Sequence, residues 1–73
     1  MQTTTLILDA SHDAEPTGAR AQELLESRQG VHRVLVRPER RAIYVRHSAA
    51  KAPRHALIAH LAEEGIRVTV RHR

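Results

Sequence analysis

Residues 10–20 read ASHDAEPTGAR, with Asp9 just upstream. His12, Asp13 and Glu15 put an imidazole and two carboxylates into four positions. That donor set suits zinc, nickel, cobalt or copper(II). The spacing matches no common ligand motif such as HExxH. A helix starting here would use the same residues differently. Asp13, Glu15 or Thr17 would cap it, and the acids would relieve its dipole. A third use is an anion held on free backbone N–H groups. Reactive sulfur is absent, because the chain has no cysteine. No Ser-His-Asp ordering, glycine-rich phosphate loop or zinc-protease helix is present either. The residues therefore point to a binding module and not to an enzyme.

Length and charge narrow this further. Seventy-three residues hold one domain, spanning 1–73. A chain this short buries only about 60% of the surface that it exposes when unfolded, which leaves little room for an enclosed cavity. Net charge is +4 and the pI is near 11.1. Eleven of the twelve basic residues are arginine. Such a balance suits an anionic partner, but acids are interspersed, and a solvated surface needs charge in any case. The longest strongly apolar runs, LIL and ALIA, fall far short of the ~20 residues of a membrane span. MQTTTLIL lacks the basic region and long apolar core of a signal peptide. A cytoplasmic location is the expectation.

The elements that must position these residues follow from periodicity. Thr3–Asp9 is β-branched and aliphatic and suits a strand. Pro16 and Gly18 punctuate the loop after it. From about Gly18, Ala21, Leu24, Leu25 and Arg28 share one helical face, and Gly30 is a fitting stop. Val31–Arg37 and Ala42–His47 read as strands joined by the PERR turn, too close for a crossover. Ser48–Ala52 connects to a second helix with Pro53 in its first turn and Leu57, Ile58 and Leu61 on one face. Gly65 ends it, and Ile66, Val68 and Val70 alternate with Arg67, Thr69 and Arg71 as a last strand. The order β-α-β-β-α-β predicts an α+β, ferredoxin-like sandwich: a four-stranded antiparallel sheet with two helices on one face.

QGVHRVLVRPERRAIYVRH, followed by LIAHLAEEGI, resembles the heavy-metal-associated (HMA) domain of copper chaperones and metal-pumping P-type ATPases. Gly30-Val31 match the pair that opens the family's second strand. Val34 and Val36 match its strand pattern, and Leu57, Leu61 and Gly65-Ile66 match its second helix and the turn after it. The resemblance covers nearly the whole chain and rests on apolar and glycine positions. It implies a soft-metal site built on Cys-x-x-Cys in the first loop. A gapless count from Gly30 places those cysteines at Ala14 and Thr17 and the family's methionine at His12. It also puts Asp9 where an apolar residue belongs, while Leu6 and Leu8 look like the core pair. The resemblance thus implies a degenerate member without a thiolate site. Copper(I) needs soft sulfur, which leaves His12, Asp13 and Glu15 for weak binding of a divalent metal. The implied role is regulatory or docking, toward other domains of a metal-transporting ATPase or another partner protein.

The hairpin register decides the rest, and two registers are open. A four-residue turn pairs Arg37 with Ala42. It sets His32 opposite His47, where a third ligand from His55 or a partner would complete a metal site. It also places Arg33, Leu35, Arg37, Tyr44, Arg46, Arg67 and Arg71 on the open face of the sheet. Arg33, Tyr44, Arg67 and Arg71 are then the candidate interaction face, for a protein partner or RNA. One aromatic, Tyr44, argues against nucleic acid, which stacks on several. A three-residue turn instead leaves Ile43 and Val45 exposed and favours an apolar partner or a dimer. His72 shares the parity of Val68 and Val70, and His60 reads as a helix-flank residue.

Overall fold

The protein is described from a computed structural model, in which residues 1–71 are placed. Strands β1 (Gln2–Leu8), β2 (Val31–Arg37), β3 (Ala42–His47) and β4 (Val68–Val70) form one antiparallel sheet in the order β2-β3-β1-β4. Helices α1 (Ala14–Glu26) and α2 (Arg54–Glu63) alternate with the strands as the sequence predicts. The ferredoxin-like sandwich is present.

Alternation explains how the sheet meets the helices. Thr4, Leu6 and Leu8 of β1 are buried, as are Ile43, Val45 and His47 of β3 and Val34 of β2. Ala21 and Leu25 of α1, Leu57 and Leu61 of α2, and Ile66 close the core from the other side. The helix faces carry these residues at the 3.6-residue period that buries one stripe. Gly18 lets α1 approach β2 closely. A Cβ added there would lie 2.7 Å from Val36 Cγ1.

Three local features differ from the sequence reading. Helix α1 begins at Ala14, about a turn before Gly18. Pro16 is its third residue and not a loop residue, which is permitted because the first N–H groups of a helix have no partner within it. The last strand begins at Val68, and Ile66 packs into the core from the turn before it.

The third difference is in the β2–β3 hairpin. Its turn has four residues: a short 3-10 turn over Pro38–Arg40, then Arg41 in the left-handed region at φ 54°. Arg37 pairs with Ala42, Val36 with Ile43 and Val34 with Val45, so the first of the two registers is the one formed. It breaks at a bulge between Val31 and Arg33, and Val31, not His32, opposes His47. A bulge leaves one residue unpaired and re-aims its side chain. His32 is exposed and His47 is fully buried, so the two do not stand side by side as a metal-binding pair. Their proposed third ligand, His55, is exposed on α2. His72 lies outside the described residues.

Candidate functional site

The first loop is held from three directions. The Asp9 carboxylate accepts from the Ser11 N–H at 3.0 Å and from the Ser11 hydroxyl at 2.5 Å. These bonds, the hydroxyl one foremost, hold the Asp9 carboxyl below the usual aspartate range, helped weakly by Arg67 and His12. Hydrogen bonds to the charged form favour that form. The loop is therefore most ordered above the ordinary aspartate pKa and loosens as the pH falls through the lowered value. A carboxyl-detected NMR titration should show Asp9 protonating below the usual aspartate range, with the Ser11 amide shift following Asp9. An Asp9 titration in the ordinary range would show that the Ser11 bonds do not form in solution.

Arg41 is the second hold, and nothing in the local sequence pattern points to it. Its guanidinium reaches back from the hairpin turn. Nη2 donates to the Asp9 carbonyl at 2.6 Å and also to the His12 carbonyl, and Nε donates to the Leu8 carbonyl at 3.5 Å. Backbone pairing supports the arrangement: Leu8 N–H donates to the Arg41 carbonyl at 2.8 Å. A fixed cation thus already fills the inner side of the loop.

His12 is the third. Its Nε2 accepts the backbone N–H of Arg67 at 2.8 Å. In a neutral ring the proton is then on Nδ1, and no nitrogen lone pair is left for a metal. Ligation through His12 would require releasing Arg67, at a net cost of about 1 kcal/mol, or roughly fivefold in affinity.

The three candidate ligands diverge. His12 lines a cleft of about 230 Å³ with Pro16, Thr17, Arg20, Glu64 and Ile66. Arg20 and Glu64 form an exposed ion pair at 3.0 Å across it. Asp13 and Glu15 line a different cleft, with Pro38 and Glu39. Asp13 occupies the cap position of α1 without a side-chain cap bond. Among the described residues, no three His, Asp or Glu side chains come together as a metal-binding group.

The other histidines have structural work. His47 Nδ1 lies 2.6 Å from the Ala52 carbonyl, which can only accept, so Nδ1 carries the proton and Nε2 accepts from Thr4 Oγ1 at 2.8 Å. His60 Nε2 donates to the Leu24 carbonyl at 3.1 Å and ties α2 to α1.

On the opposite side of the sheet, Arg33 directly faces Arg46, Leu35 faces Tyr44, and Arg37 faces Ala42. Arg71 N–H donates to the Thr5 carbonyl at 2.9 Å, in the row that contains Tyr44. Thr3, Arg33, Leu35, Tyr44 and Arg46 line a shallow groove of about 290 Å³. Arg67 lies at the far end, where its carbonyl accepts from Asp9 N–H.

No protein-family model matches this sequence, and no curated protein matches it. Solved structures do. Oxidized MerP from Ralstonia metallidurans CH34 is 24% identical, superposes over 97% of each chain and gives a TM-score of 0.85. A copper binding domain from HMA7, a P-type ATPase, is 10% identical over 99% of this chain and 96% of that one, with a TM-score of 0.86. The N-terminal domain of PacS from Synechocystis PCC6803 is 17% identical over 99% of this chain and all of that one, with a TM-score of 0.79. The fold is that of the heavy-metal-associated domains. Within this HMA fold, the two positions to which the sequence resemblance assigns cysteine are Ala14, which opens α1, and Thr17, one turn further on. No helix among the described residues is long and apolar enough to cross a membrane.

Proposed function

We propose that this chain is a degenerate HMA-like module of a metal transport or homeostasis system, acting by docking or regulation and not by catalysis. The observation that carries the reading is the end-to-end likeness of fold to MerP and to the metal-ATPase domains. The local chemistry supports the word degenerate: alanine and threonine replace thiolates, and the Arg41 guanidinium occupies the loop. Partners on this reading are other domains of a metal-transporting ATPase or a protein that serves one. Weak binding of a divalent metal such as zinc, nickel, cobalt or copper(II) on this reading needs the loop to rearrange: Arg67 releases the His12 imidazole, and Asp13 or Glu15 swings from its own cleft to join it.

NMR titration of labelled protein with Zn(II), Ni(II) and Cu(II) tests this. The expected result is weak, saturable shifts over residues 9–17 with the Arg67 amide moving in step, lost in His12→Ala. Unmoved resonances there at high metal excess would remove metal binding and leave docking alone. Tight, stoichiometric binding that survives His12→Ala would overturn the assignment of the loop.

A further inference from the structure

The eight acidic residues of the chain all lie outside its strands. The open face of the sheet carries Arg33, Arg37, Arg46 and Arg71, all exposed, and no carboxylate. Among the described residues, the ion pair within 4.0 Å is Arg20–Glu64, on the helix side. Arg33 and Arg46 moreover stand directly opposite one another on β2 and β3. Like charges so placed destabilise a sheet. Leu35, 40% exposed, and half-buried Tyr44 form an apolar floor between the cations.

We propose that this face docks an acidic segment of a partner protein, whose carboxylates bridge Arg33 and Arg46 and whose apolar side chains lie on Leu35 and Tyr44. The proposal rests on the docking reading above and supplies the chemistry of the partner. Paired guanidinium groups bind carboxylates with short, charge-assisted, often bidentate bonds. A carboxylate between Arg33 and Arg46 relieves a repulsion that the free domain carries. Nucleic acid fits less well, because Tyr44 is the one aromatic and bases stack on several. A second copy fits less well too. Face to face it sets arginine on arginine, and its acidic helix α1 against this sheet would make a head-to-tail contact, which builds rings or filaments and not a simple pair.

The test is an NMR titration with three probes: a peptide of alternating glutamate and leucine, a matched peptide of alternating lysine and leucine, and oligouridylate. The glutamate peptide should shift amides of β2 and β3 around Arg33–Leu35 and Tyr44–Arg46, and more weakly at high salt. The double variant Arg33→Glu/Arg46→Glu should lose about tenfold in affinity. The double variant Arg20→Glu/Lys51→Glu, of equal charge change away from the open face, should lose little. The single change Arg33→Glu should also raise Tm by about 2–5 °C, since it turns a repulsive cross-strand pair into an attractive one. Shifts confined to the helix side would overturn this proposal while leaving docking intact. Tighter binding of oligouridylate at the same residues, or concentration-dependent self-association through them, would overturn the choice of partner. No shift with any probe would overturn the face itself. All of these read resonances separate from the loop at residues 9–17, so failure here is distinct from failure of the metal reading.

Discussion

His47→Ala should lower the unfolding free energy by about 3 kcal/mol, more than any substitution of an exposed histidine. Its imidazole is fully buried and bridges Thr4 on β1 to the Ala52 carbonyl beyond β3. Removing it leaves a cavity and strands a buried hydroxyl and a buried carbonyl at once. Each stranded group costs about 1–3 kcal/mol, though the Thr4 hydroxyl can rotate to soften its share. A chain of this length has roughly 4–11 kcal/mol in all, so the variant should be close to the edge of folding. Tm should fall by about 12 °C or more. His32→Ala, one residue off the ladder and exposed, should change stability by about 0.5 kcal/mol at most. Thr4→Val should cost about 1 kcal/mol, and its effect should shrink in the His47→Ala background because the two share one bond. Urea denaturation of the four proteins measures all of this. Equal small losses for His47→Ala and His32→Ala would show that the bridge does not form.

Gly30→Ala should cost about 2–5 kcal/mol. Gly30 has φ +94°, and a Cβ there would stand 2.8 Å from Lys51 Cβ, 3.0 Å from Ala52 Cβ and 3.2 Å from Ala52 N. The left-handed backbone alone costs an alanine about 1–2 kcal/mol. The clash adds about 1–3 kcal/mol, because Cβ and backbone atoms cannot swing aside as a side-chain tip would. Gly65 separates the two contributions. Its φ is +78°, but a Cβ would meet nothing within 4 Å, so Gly65→Ala should show the backbone part alone. Chemical denaturation of both variants checks the difference, and equal costs would mean that the Ala52 segment yields freely. Displacing Ala52 also moves the carbonyl that orients His47. Gly30→Ala and His47→Ala should therefore not add.

This coupling shows where the sequence stopped being informative. Periodicity of two in β1 and β3 and of 3.6 in α1 and α2 specified the order of elements, the four-residue register as one of two choices, and most of the core. Those features depend on near neighbours, and near neighbours are written in the chain. Leu6 and Leu8 are the core pair of β1 as expected, and Asp9 begins the loop outside it.

The loop and the histidines were decided elsewhere. A single bulge at His32 turned a proposed pair of ligands into one exposed and one buried ring, and a bulge leaves no mark in an alternation that continues on either side. Arg41 became the cation of the first loop because its left-handed place in the hairpin turn sets it beside the end of β1, where Leu8 N–H donates to its carbonyl. His12 lost its free lone pair to Arg67, 55 residues along the chain. Each of these contacts joins segments far apart in sequence, and its geometry is fixed by how the strands stack and not by the residues beside it. The charge of the open face was legible from parity once a register was chosen. The choice itself came from burial: only one register puts Ile43 and Val45 under the helices and leaves the arginines in water.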